Sequence, residues 1–178
     1  YSIAKKYKLY VVQDSAHVIG ARFKKKHLIN FGDACTYSMH PLKNLNVWGD
    51  AGFIVTNKSK LAKKLYLLRN HGLKNRNKCQ IFGYNSRLDT IQAAVANYKM
   101  KNKLDNITRK RISNAKLFDK LFNLQKNVKT VKRLSYLKEV FHLYHINVKK
   151  RDKLLKFLVK NSVDAKVHYP IPMHLQPA

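Results

Sequence analysis

All six glycines of this chain lie between Gly20 and Gly83, so tight turns are concentrated in its first half, and that asymmetry narrows the folds open to it. The turn-rich half reads as short strands and loops. Ser2 to Lys8 is the end of a helix, Leu9 to Gln13 an apolar strand, and Ala34 to Ser38 a second strand. Phe53 to Thr56 forms a third, beyond the turn that Gly49 and Gly52 bracket. Lys58 to Arg69 then carries Leu61, Leu65 and Leu68 at helical spacing. Short apolar strands alternating with helices predict an α/β sheet with ligands at its strand ends.

The glycine-free half is of another kind. Leu88 opens a long helical stretch, with Ile91, Ala94, Val95 and Tyr98, then Ile107, Ile112, Ala115, Phe118 and Leu121, at helical spacing. Its aromatic residues fall at core-like positions. Val140 to Val148 alternates as a strand, Arg151 to Asn161 is amphipathic, and Val163 to His168 alternates again. Together these predict a small α+β lobe. A length of 178 residues is enough for one core and does not demand a second independent domain.

The strand ends carry chemistry. The first strand delivers Asp14, followed by Ser15-Ala16-His17, and the second delivers Ser38, which leads through Met39-His40-Pro41-Leu42 to Lys43. A carboxylate on one strand end, with a hydroxyl and a primary amine on the next, is the set that pyridoxal phosphate chemistry requires. The lysine forms a Schiff base and the acid partners the pyridinium nitrogen. Taken alone, an Asp at a strand end is more often a turn or helix cap.

The stretch from Val12 to Asn57 resembles the DegT/DnrJ/EryC1/StrS family of fold-type-I, pyridoxal-phosphate-dependent sugar aminotransferases. The resemblance rests on Asp14-Ser15-Ala16-His17, on Tyr37-Ser38-Met39-His40-Pro41-Leu42-Lys43-Asn44-Leu45, and on Gly49-Asp50-Ala51-Gly52. Three further blocks follow in the family's order: Arg69-Asn70-His71-Gly72, Gly83-Tyr84-Asn85-Ser86-Arg87-Leu88-Asp89 running into Gln92-Ala93-Ala94, and His168-Tyr169-Pro170 through Gln176.

That resemblance implies a partial large domain with a mixed, mostly parallel sheet over residues 1–100. A connecting helix and an incomplete small domain would follow over 101–178. It makes Lys43 the Schiff-base lysine and general acid/base, Asp14 the partner of the pyridine nitrogen, and His17 a contact of the cofactor ring or its 3'-oxygen. Ser38 would hold the phosphate. Asn85 would reach the phosphate of a neighbouring subunit's cofactor, so that a homodimer shares its active sites. Trp48 lines the sugar pocket or simply packs, and His168 and His174 border the substrate or pack with equal ease. The implied reaction moves an amino group, from glutamate, onto a keto group of a nucleotide-diphosphate sugar in the cytoplasm. Family members are longer, with a phosphate loop and a ring-stacking aromatic that belong before Tyr1, so the chain reads as a piece of a longer enzyme.

Composition offers rivals. With 37 Lys+Arg against 9 Asp+Glu the net charge is +28, a footprint that suggests nucleic acid or another polyanion. Yet the lysines are scattered, as in Lys5-Lys6, Lys63-Lys64 and Lys149-Lys150, and codon bias toward Lys and Asn produces the same picture. A nucleic-acid binder would cluster them with exposed aromatics on one face. The family's dehydratase branch carries His where Lys43 stands, and an inactive remnant is the third alternative. Cys35 and Cys79 have no paired or metal-type spacing, and no apolar run reaches membrane-spanning length.

Overall fold

The computed structural model describes residues 1–177, which fall into two compact units. One comprises Tyr1–Phe118 with Lys132–Tyr144, and the other Asp119–Val131 with the chain from His145 onward. In chain order the elements are α1 (Ser2–Lys6), β1 (Val12–Asp14), β2 (Arg22–Phe23), β3 (Lys26–His27), β4 (Ala34–Ser38), β5 (Gly52–Val55), α2 (Ser59–Leu68), β6 (Leu73–Asn75) and β7 (Lys78–Cys79). There follow α3 (Thr90–Asn102), α4 (Leu104–Phe122), β8 (Val128–Thr130), β9 (Leu137–Lys138), β10 (Ile146–Val148) and α5 (Arg151–Lys160).

The sheet that positions the candidate site has the order β1-β4-β5. β1 runs parallel to β4 with Asp14 opposite Thr36, and β5 runs antiparallel to β4 with Ser38 opposite Gly52. The sheet is therefore mixed, as the resemblance implies, although only one of its two pairings is parallel. Gly52 is required at its position, because a Cβ there would lie 2.8 Å from the Tyr37 carbonyl oxygen. In the second unit β8 and β10 pair antiparallel, Val128 opposite Val148.

The core lies beneath the chain that leaves β4. Met39, Leu45, Val47 and Ala96 are buried together, with Ile19, Phe53, Leu88 and Leu104 packed against them. On the opposite face of β4 from Ser38, Tyr37 stacks on Phe53 with ring centroids 4.8 Å apart, and burial pushes its phenol pKa up.

Five sequence expectations need correction. The first strand is Val12–Asp14, not Leu9 to Gln13. The long helical stretch is two helices, broken at Lys103, which leaves helical geometry at φ −125°. Within Val140 to Val148 only Ile146–Val148 is a strand. The carbonyls of Val140, Phe141 and His142 instead accept hydrogen bonds from the side chains of Asn44 and Arg111, and Phe141 takes φ +47°. Val163 to His168 forms no strand, since the Val163 and Ala165 amides bond locally, to Leu158 and Val163. Aromatic residues are more exposed than their periodicity predicts: Tyr98 is 58% and Phe118 42% exposed. Among the described residues no helix is long and apolar enough to cross a membrane, and no cluster of three His, Cys, Asp or Glu side chains could hold a metal.

Candidate active site

The loop after β4 is irregular but tightly tied. Its ends are joined by Met39 N–H to the Ala51 carbonyl (2.8 Å) and Val47 N–H to the Met39 carbonyl (3.0 Å), while Lys43 N–H donates to the His40 carbonyl at 2.8 Å. Leu45 and Val47, each 1% exposed, turn into the core. Lys43 between these anchors stays half-buried. Burial of the apolar neighbours thus fixes the loop that carries the polar group.

Asn44, also buried, donates to the Val140 carbonyl at 2.9 Å across 96 positions of sequence. Asn46 donates to the Lys43 carbonyl at 2.8 Å and accepts from the Lys99 ammonium. Ser38 Oγ accepts the His40 amide at 3.3 Å, which leaves its own hydroxyl proton to donate elsewhere.

Asp14 ends β1. Its Oδ1 accepts the Ala16 amide at 3.0 Å, closing an Asx turn, while Ser15 N–H bonds to the Thr36 carbonyl. The turn-cap reading of Asp14 therefore describes one oxygen of an exposed carboxylate, and the second oxygen remains for a ligand. Because side chains alternate along a strand and Asp14 faces Thr36, Asp14, Thr36 and Ser38 share one sheet face. Ser38 lies two residues, about 7 Å, beyond Thr36. His17 follows in the turn, its ring 4.3 Å from that of His142 at 52°.

The remaining candidates lie elsewhere. Asn85 is exposed, bridged through its backbone to Asn70, and accepts from Arg87 Nε at 3.0 Å. Among the described residues no hydrogen bond joins it to Asp14, Ser38 or Lys43. Trp48 is 75% exposed and lines a groove of about 480 Å³ with Asp89, Thr90, Ile91, Gln92 and Val95. Gln92 braces that corner by donating to the Trp48 carbonyl at 2.8 Å. His168 and His174 are exposed residues of the second unit. Asn46, Lys99 and Arg111 were not singled out from sequence. Asn46 sits inside the lysine run, and its place three residues past Lys43 was the available signal.

The donor set can be tested against pyridoxal phosphate. That cofactor presents a basic ring nitrogen, an aldehyde and a phosphate. The chain answers with a carboxylate whose second oxygen is open, a primary amine on a fixed loop, and a hydroxyl whose proton is uncommitted, all around the ends of β1 and β4. The residues fit.

The chain is similar to known proteins over nearly its whole length. The model of the DegT/DnrJ/EryC1/StrS aminotransferase family matches residues 1–178. The chain is 40% identical to a pleiotropic regulatory protein of Geobacillus stearothermophilus, over 99% of this chain and 48% of that protein. It is 37% identical to dTDP-3-amino-3,6-dideoxy-alpha-D-galactopyranose transaminase of Aneurinibacillus thermoaerophilus, over 99% of this chain and 48% of the enzyme. Among solved structures, DesV of S. venezuelae in complex with a ketimine intermediate superimposes with a TM-score of 0.94 at 31% identity, covering 99% of this chain and 47% of DesV. The chain thus spans about half the length of the relatives it matches.

Proposed function

This chain belongs to the DegT/DnrJ/EryC1/StrS aminotransferase family, and from that premise we propose that its protein is a pyridoxal-phosphate-dependent aminotransferase acting on a nucleotide-diphosphate keto sugar. The amino donor is glutamate, and the protein works as a cytoplasmic homodimer in which Asn85 serves the neighbouring subunit's site. One observation carries the reading: Asp14, Ser38 and Lys43 lie at one end of a single mixed sheet, on β1, on β4 and on the loop that β4 feeds. A transaminase acting on a dTDP-linked amino sugar among the relatives supports the substrate class.

When bound, the cofactor supplies an electron sink for negative charge developing at the substrate carbon. The open oxygen of Asp14 keeps the ring nitrogen protonated by charge pairing. Ser38 donates its hydroxyl proton to the phosphate, and His17 borders the ring. Lys43 Nζ would hold the group covalently, and its amine would carry the proton to and from the substrate carbon. Trp48 borders the sugar. The scattered positive charge attracts the diphosphate.

Borohydride reduction followed by peptide mapping tests the assignment in the full-length protein. The pyridoxyl group is expected on the peptide that contains Lys43, and Lys43→Ala is expected to abolish turnover while pyridoxamine phosphate still binds. Trapping at another lysine would overturn the reading. The dehydratase alternative places His at this position, and Lys43 stands against it.

A further inference from the structure

We propose that Lys99, acting through Asn46, is a positioning residue for Lys43, an inference that rests on Lys43 being the covalent anchor. The Lys99 ammonium on α3 donates to Asn46 Oδ1, and Asn46 Nδ2 donates to the Lys43 carbonyl at 2.8 Å. All three residues are half-buried. Lys99 lies one helical turn beyond Ala96, the residue of α3 buried in the core, so it comes from the packed side of that helix. The relay therefore runs from a rigid, core-facing helix surface to the backbone of the lysine itself.

An asparagine amide has no intrinsic preference for which end faces which neighbour, since rotation by half a turn exchanges oxygen and nitrogen. A cation removes that freedom. An ammonium only donates, so the oxygen must face Lys99 and the NH2 must then face the Lys43 carbonyl. Lys43 N–H is already held by the His40 carbonyl. With both peptide groups of Lys43 fixed, the direction in which its side chain leaves the loop is fixed as well. Among the described residues Lys99 makes no ion pair, and its acceptor is a neutral amide. Half-burying an ammonium against such an acceptor carries a desolvation cost that a solvated surface lysine avoids, and the orientation of Lys43 is what that placement secures.

The test uses the full-length holoenzyme with Lys99→Met, Lys99→Arg, Asn46→Leu and the Lys99→Met/Asn46→Leu double variant. Misorienting the anchor is expected to lower kcat about tenfold to a hundredfold in Lys99→Met with little change in KM. Lys99→Arg, which also only donates, is expected to restore most of that loss. Asn46→Leu is expected to match Lys99→Met, and the double variant to be no worse than Asn46→Leu, because both remove one relay. A second readout needs no cofactor: amide hydrogen exchange of the cofactor-free protein should quicken in the peptide spanning His40 to Val47 in Lys99→Met and stay normal in Lys99→Arg, with α5 unchanged in both. Should Lys99→Met fail to fold, Asn46→Leu and Lys99→Arg carry the same comparison. If borohydride trapping maps to Lys43 while these variants keep normal kcat and exchange, the positioning role alone is overturned. If trapping maps elsewhere, the anchor reading falls and the positioning role with it.

Discussion

The chain from Met39 to Ala51 has no helix or strand, yet it buries Met39, Asn44, Leu45 and Val47, whereas α5 is a regular helix with no buried residue at all. The contrast separates regularity from fixity. A helix satisfies its own backbone groups and can lie on a surface with modest packing. An irregular loop must find other partners for its polar groups, and here they are particular to each residue: Met39 N–H bonds to the Ala51 carbonyl, Asn46 donates to the Lys43 carbonyl, and Asn44 reaches out to the Val140 carbonyl. Each such partner is specific to one residue, so the loop holds one shape and can hold a reactive group in one place.

The most severe break in that comparison is chemical. Asp14→Asn preserves the Asx turn, because an amide oxygen can still accept the Ala16 amide, but it removes the charge proposed to pair with a protonated ring nitrogen. Turnover of the full-length enzyme is expected to fall about a thousandfold or more, which at about 1.4 kcal/mol per tenfold is about 4 kcal/mol on the barrier. Single-turnover kinetics on protein saturated with cofactor measure it. A near-normal rate would return Asp14 to the role of a turn cap.

Packing gives the next largest effect. Leu45 is 1% exposed within the core cluster, so Leu45→Ala is expected to cost about 2–5 kcal/mol of stability. Urea melts of the two proteins check this, and a loss below about 1 kcal/mol would mean that the loop does not form part of the core.

How far the sequence foretold these regions follows the same division. The bounds of β4 and the helical registers of α2 and α5 were legible, because each depends on a local apolar pattern and on nearby turn residues. The runs that carry the proposed site residues Asp14, Ser38 and Lys43 stand out in the sequence as well, by their distinctive order. The partners of the loop were not. Asn44 meets Val140 across 96 positions and Lys99 meets Asn46 across 53, and nothing in a local pattern marks such pairings. The failed strands have the same cause. Val163 to His168 has a strand's alternation, but a strand needs a partner, and the Val163 and Ala165 amides bond within their own neighbourhood.

Acid distinguishes two ion pairs that look alike on paper. Asp33, 16% exposed, binds Lys58 and the Val11 amide, tying the start of β1 to the approach to α2, and its carboxyl pKa is lowered chiefly by the Lys58 hydrogen bond. Its folded-state pKa is depressed, so its stabilisation is present above the unfolded value and is lost as pH falls through the folded value. Asp152 is also lowered, by the hydrogen bond from Arg151. Those two are adjacent in sequence and well exposed, at 71% and 58%, so they can pair in the unfolded chain as well, and little of the shift becomes stability. Thermal melts from about pH 6 down to pH 2 are expected to show Asp33→Asn less stable than the parent at the upper end and equal to it at the lower. Asp152→Asn should track the parent throughout. An Asp33→Asn curve parallel to the parent would remove the carboxylate from the acid response.

The smallest effect is expected where residue type alone predicts a large one. Phe157 is bigger than Leu45, and a buried phenylalanine replaced by alanine costs about 3–5 kcal/mol. On α5, however, Phe157 is 61% exposed, while Leu154, Leu155 and Leu158 lie half-buried. Little apolar area is recovered by removing its ring, and alanine's higher helix propensity returns a few tenths of a kcal/mol. Phe157→Ala is therefore expected to change stability by no more than about 0.5 kcal/mol, in the same urea melts that read out Leu45→Ala. A loss above about 2 kcal/mol, well beyond the range of surface substitutions, would mean that the ring is covered in solution, and that α5 is as dependent on packing as the loop it is set against.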